Sequence, residues 1–320
     1  MNKWLLILLF ACTSTALATE QGVKEISPGR LLLKSGEMVV SISPAPSKIE
    51  RVLIIIHGRL RNAETYRQSA ERAVEQAGQG ANTLVIAPQF LNETDTALHP
   101  VADTVLRWQG NDWMAGGLSS APFALSSYGA LDEIIARLGD RRQFPDVKHI
   151  VIAGHSGGAQ VVQRYALLSH DQPALKAAGV QVRYVIANPS SYAYFDERRP
   201  VAFSHAGCPD YNRWKYGLAD LPAYAEGQTP EQLQEKYSRQ EIVYLLGQQD
   251  NDPNHPALDK RCEAQAQGAN RLARGRNYFD YLKRLFPQGL NQQLIEVPGV
   301  GHDPDGMFTS PEGQKELFGQ

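Results

Sequence analysis

Residues 150–168 constrain this chain more than any other stretch. Ile150–Ala153 are apolar, Gly154-His155-Ser156-Gly157-Gly158 interrupts them, and the helix-compatible run AQVVQRYALL follows. A buried strand that turns at once into a helix is half of a β-α-β unit, and such units assemble into parallel sheets. Glycines two before and two after the serine permit a sharp strand-to-helix turn that β-carbons would block. The turn holds either an incidental serine or one raised above the sheet edge, at a helix N-terminus that favours negative charge.

The rest of the chain fits that architecture. GRLLLKSGEMVVSIS (29–43) reads as a hairpin turning at Lys34–Glu37. RVLIIIHG (51–58) is a continuous β-branched run, as in a strand buried on both faces. Further strands are expected at 82–90, 148–156, 182–190, 241–250 and 292–302, and helices at 62–78, 126–139, 159–168, 267–286 and 312–318. The expected fold class is α/β: a mostly parallel central sheet with helices on both faces, in one domain spanning 19–320. Two long connections, 90–122 and 189–239, interrupt the alternation. The second holds nine of the chain's 27 aromatic residues, about twice an even share. Such an insertion builds either a small core of its own or an aromatic-lined, cap-like cover for a substrate.

Charge narrows the partners. With 32 basic and 34 acidic residues and no basic run, the chain has no polyanion-binding signature, so no nucleic acid is expected. At the N-terminus, Lys3 precedes an apolar run over Trp4–Phe10 and the small-residue pattern Ala16-Leu17-Ala18. This reads as a signal peptide over 1–18, cleaved near Ala18. The run is shorter than the about 20 residues of a membrane span, so no stable membrane insertion is expected. The alternative is a lipoprotein anchored at Cys12, against which Phe10 fits the cleavage pattern poorly. Export to the periplasm or beyond leaves Cys208 and Cys262 as the only mature cysteines, and an oxidising compartment favours their disulfide.

Serine is a weak nucleophile and needs a base, and that base is expected late in the chain. VPGVGHD places His302 in a loop after the last strand. The third member is expected to be a carboxylate after an intervening strand. Asp250, three residues past Gly247, is the first choice, and Asp252 is its rival. The same stretch fails as a calcium loop, because His255 stands where glycine is required and Arg261 where glutamate is required. HGR at 57–59 suggests an oxyanion hole made by the N–H groups of Arg59 and Gly157, with His57 structural. The sequon Asn92-Glu93-Thr94 matters only in a glycosylating host. The arginines of RLARGR (271–276) read as a solvated face, with an anchor for an acidic substrate as the alternative.

Taken together, HGR after an early strand, GHSGG, GQQD and GVGHD make residues 50–320 resemble the α/β-hydrolases, serine hydrolases of the esterase and lipase type. That family's order of nucleophile, acid and base is met by Ser156, Asp250 and His302. The resemblance implies ester hydrolysis through an acyl-enzyme, no cofactor, and a small-molecule or polymeric ester as partner. A peptidase or amidase would use the same residues, a depolymerase of aliphatic polyester is a narrower form of the ester reading, and a non-catalytic binding protein is the rival from another class.

Overall fold

The computed structural model describes residues 21–319. The expected signal peptide and Cys12 lie outside the described residues. The strands are β1 (Gly29–Leu33), β2 (Gly36–Ile42), β3 (Arg51–Ile56), β4 (Thr83–Gln89), β5 (Arg107–Trp108), β6 (Ser119–Ala121), β7 (His149–His155), β8 (Gln181–Ala187), β9 (Glu241–Gly247) and β10 (Gln292–Val297). Eight of them form one sheet in the order β1-β2-β4-β3-β7-β8-β9-β10. The hairpin β1–β2 joins antiparallel to β4, and every pairing from β4 to β10 is parallel. Parallel neighbours require crossovers, which the alternating helices supply. They are α1 (Ala63–Gln76), α2 (Glu93–Leu98), α3 (Ser127–Leu138), α4 (Gly157–Leu168), α5 (Pro173–Ala177), α6 (Pro230–Arg239), α7 (Cys262–Gln265), α8 (Arg271–Leu285), α9 (Pro304–Thr309) and α10 (Pro311–Phe318).

The continuous apolar runs are explained by burial on both faces. Ile54, Ile152, Ile186 and Tyr244 point into one core with α3, α4, α6 and α8, while Leu53, Val151, Val185 and Val243 point into the other with α1, α9 and α10. This is the expected α/β architecture. No helix among the described residues is long and apolar enough to cross a membrane.

The interruptions are more ordered than their sequences suggest. Residues 90–122 contain α2 and the two-stranded ladder β5–β6. Asn92 of the sequon is buried; its side chain caps α2 by accepting from Asp95 N–H and donates to Gly110 O, which leaves no room there for a glycan in the folded chain. In 189–239, Tyr192, Tyr194, Phe195 and Tyr237 join the main core with Tyr278 and Tyr281 of α8. The aromatic enrichment is thus spent largely on packing. The solvated-face expectation for RLARGR holds for Arg276, which is exposed and paired with Glu296, and is corrected for the other two arginines. Arg271 and Arg274 are buried, because they lie on the same stripe of α8 as Leu272, Gly275, Tyr278 and Leu282.

Cys208 and Cys262 form a disulfide with a Cα–Cα separation of 5.8 Å, spanning 54 residues. It ties the irregular stretch after β8 to the segment entering α8. By chain entropy a loop of that size contributes about 4 kcal/mol. Reduction, or the double change Cys208→Ala/Cys262→Ala, is expected to lower the melting temperature by roughly 5–10 °C; an unchanged Tm would contradict the bond's role.

Candidate active site

The expected elbow is present. β7 runs to His155, and Ser156 sits at φ 57°, ψ −116° before α4 begins at Gly157. A non-glycine residue with positive φ outside the left-handed helical well costs of order 1–3 kcal/mol and persists only where its surroundings enforce it. They do so here. Ser156 N–H donates to Ala187 O of β8 at 3.0 Å. A β-carbon on Gly158 would lie 2.1 Å from Ile56 O, and one on Gly154 would lie 2.5 Å from Gly158 C. Both flanking glycines are therefore required by close backbone approach, and the serine is left at the sheet's C-terminal edge.

The two other sequence-expected residues converge on it. His302 Nε2 lies 3.0 Å from Ser156 Oγ, and His302 Nδ1 lies 2.7 Å from Asp250 Oδ2. A carboxylate only accepts, so Nδ1–H donates to Asp250 and Nε2 is left to accept from the serine hydroxyl. The rival Asp252 is exposed and accepts from Asn254 N–H. The acid and base loops are tied to each other. Gln249 N–H donates to Val300 O at 2.9 Å, and the buried Asn188 accepts from Gly247 N–H at 2.8 Å while donating to Gly301 O at 3.2 Å. Asn188 thus binds the end of β9 to the loop that carries His302. His155 packs against His302 with ring centroids 4.4 Å apart. Burial, reinforced by the nearby His302, Arg271 and His255, holds the His155 imidazole well below its usual range, so it stays neutral.

Asp250 has a second partner that the sequence did not reveal. Arg271 Nη1 lies 3.2 Å from Asp250 Oδ1, and Arg271 Nε donates to Ser190 Oγ at 3.0 Å. Both side chains of this pair are almost wholly buried. Burying a carboxylate is unfavourable unless a charge partner and hydrogen-bond donors meet its oxygens. Arg271 supplies both from the face opposite His302.

Across from the elbow, the turn after β3 presents the N–H of Arg59. A β-carbon on Gly157 would lie 3.0 Å from Arg59 N, so the two predicted oxyanion donors are neighbours. His57 fixes this turn: its Nε2 accepts from Phe90 N–H at 2.9 Å, which leaves Nδ1–H to donate to Gly58 O at 2.8 Å. Burial pushes the His57 imidazole down to about 4, so it is neutral and structural. Arg61, paired with the buried Asp95 at 2.7 Å, donates from Nη1 to Arg59 O. Arg59, Ser156 and Gly157 line one cleft of about 370 Å³, whose lining contains no aromatic residue among those described.

Asn188 and Arg61 were missed because an isolated arginine or asparagine carries no spacing signal, and Arg271 because the run that holds it was read as solvated. Only the position of Arg271 on the buried stripe of α8 could have drawn notice. The close approach at the elbow makes one outcome definite. Gly158→Ala is expected to destabilise the protein by about 3 kcal/mol or more in denaturant titration, since Ile56 O and His57 O are backbone atoms that cannot move aside; a loss under about 0.5 kcal/mol would contradict the geometry.

No protein-family model and no curated protein matches the sequence. Solved structures do. The chain is similar to poly(aspartic acid) hydrolase-1 from Sphingomonas sp. KT-1, at 22% identity over 92% of this chain and 99% of that one, with a TM-score of 0.63. It is also similar to the poly(3-hydroxybutyrate) depolymerase LpqC from Bordetella parapertussis, at 21% identity over 89% of this chain and 85% of that one, with a TM-score of 0.62. With its strand order, its serine elbow after β7 and these likenesses, the chain has the α/β-hydrolase fold.

Proposed function

We propose that this protein is an exported serine hydrolase of carboxylic esters, with residues 19–320 as its single mature domain. One observation carries the reading: an unbroken hydrogen-bonded line from Ser156 Oγ through His302 to Asp250. A disulfide in the described chain supports export, because such bonds persist in oxidising compartments.

The chemistry follows from the geometry. Ser156 Oγ attacks the ester carbonyl carbon while His302 Nε2 takes the hydroxyl proton. Asp250 keeps Nδ1–H directed at itself and stabilises the imidazolium. The carbonyl oxygen becomes an oxyanion and accepts from the N–H groups of Arg59 and Gly157. The carbon–oxygen bond to the alcohol breaks, and His302 returns the proton to the leaving oxygen. Water then attacks the acyl-enzyme with His302 as base, releasing the acid and restoring Ser156. Arg271 acts on this sequence at one remove, as a positioning residue that holds the Asp250 carboxylate in place. An amide would use the same groups, and the name of the poly(aspartic acid) hydrolase keeps that as the second reading. The depolymerase extends the ester reading to aliphatic polyesters.

Hydrolysis of p-nitrophenyl esters from acetate to palmitate tests the proposal. Turnover is expected in the wild type and a loss of roughly 10⁵-fold or more in Ser156→Ala. Arg271→Met is expected to lower kcat by about ten- to a hundred-fold with little change in KM, the scale of one charge-assisted hydrogen bond, and Arg271→Lys to recover part of it. A wild type inert on every chain length, while an amide series is turned over, moves the assignment to the second reading; inertness on both overturns it.

A further inference from the structure

The cleft at Ser156 is cationic, although the whole chain carries a net charge of −2. Its lining includes Arg59, Lys215, Lys260 and Arg261 against a single carboxylate, Asp259. That carboxylate is already engaged. Arg261 donates to it from Nε at 3.0 Å and from Nη2 at 2.8 Å, and the Tyr216 hydroxyl donates to it at 2.7 Å. The other three cations form no ion pair among the described residues. Lys260 donates only to Asn254 O, at 3.3 Å.

Lys215 is the informative one. It is partly buried, it follows Trp214, whose indole N–H is bound to Ala115 O, and its own carbonyl accepts from the buried Arg164. Lys215 thus stands on a fixed backbone among the residues that line the cleft, with its ammonium 5.7 Å from the Tyr216 ring centroid. Desolvation pushes it down to about 7, with Arg164 and Arg261 adding repulsion that Asp259 and Asp112 only partly offset. A lysine kept where its charge is costly favours a counter-ion; Asp259 and Asp112 act on it only from beyond ion-pair distance, and the Tyr216 ring offers only a π face.

We propose that the Ser156 cleft recognises an ester whose acyl or alcohol portion carries a carboxylate, held by the Lys215 ammonium with Arg59 and Lys260 at the mouth. The proposal rests on the serine hydrolase reading and names its substrate class. The carboxylate does not react. It offers the acceptor that Lys215 lacks, so it returns the ammonium to full charge, and it orients the ester carbonyl toward Ser156 Oγ and the N–H groups of Arg59 and Gly157. A neutral ester of the same shape leaves the partly desolvated cation without a carboxylate partner, and this difference is the source of selectivity.

Two matched pairs of probes test it: p-nitrophenyl hydrogen adipate against p-nitrophenyl adipamate, and 4-carboxyphenyl butyrate against 4-carbamoylphenyl butyrate. Each pair replaces a carboxylate by an amide of nearly the same size, on the acyl side in the first and on the alcohol side in the second. In at least one pair the acid is expected to be preferred about ten-fold or more in kcat/KM, mainly through KM, with the preference weakening as salt is raised. Lys215→Met is expected to abolish that ratio, Lys215→Arg to retain most of it, and Lys260→Met to reduce it by about two- to three-fold. Equal or better turnover of the amide member in both pairs overturns the proposal while leaving the serine hydrolase reading intact, as does an acid preference that Lys215→Met leaves unchanged. Failure of all four probes together with the simple p-nitrophenyl esters and the amide series overturns both.

Discussion

The contact on which the rest of this structure depends is the approach of Gly158 to the end of β3, where Ile56 O leaves no space for a β-carbon. Parallel strands β3 and β7 pair from Arg51–His149 to Ile56–Gly154, so they end side by side. Without side chains at 154 and 158, the chain leaving β7 folds back over its neighbour and starts α4 there. Two consequences follow from this one piece of packing. Ser156 is held in a backbone conformation it would not choose alone, and Gly157 is brought against the backbone nitrogen of Arg59. In the proposed mechanism the nucleophile and the place for an oxyanion would therefore be positioned together by backbone fit, not by flexible side chains, which is the preorganisation that acyl transfer rewards.

The opposite wall is organised by charge and hydrogen bonding. Asp250 leaves β9 and His302 leaves β10, and these strands are neighbours. Asn188, at the end of β8, bonds to both departing chains. Burying a carboxylate there is unfavourable unless its oxygens are met. One is met by the imidazole and the other by Arg271, which reaches in from α8. The helix that closes the core on one face thus also sets the electrostatics of the site. The disulfide fixes the approach to that helix, and the segment between Asp250 and Cys262 provides Lys260 and Arg261 at the cleft mouth. Stability and the cationic lining of the cleft are carried by the same stretch of chain.

Much of this was legible in the sequence, for identifiable reasons. Continuous apolar runs such as RVLIII leave only a strand buried on both faces, and the glycines around Ser156 have a backbone cause that admits no other residue. Ser156, Asp250 and His302 could be singled out because each follows a strand end, and strand ends on one side of a parallel sheet meet. What was not legible depends on tertiary arrangement. Arg271 looked solvated because arginines usually are, yet α8 turns its 271–274–278 stripe inward. The aromatics of 189–239 looked like a possible cover for a substrate, while Tyr192, Tyr194 and Phe195 fill the core. Lys215 gave no signal at all, since a single lysine acquires meaning only from the charges and cleft around it.

The central claim is that Ser156 is an activated nucleophile. Reaction of the mature protein with a fluorophosphonate, followed by peptide mapping, tests it most directly. The account requires one adduct, on Ser156, formed fast in the wild type and suppressed by His302→Ala. No adduct, an adduct on another residue, or labelling of Ser156 that is indifferent to His302 would contradict it.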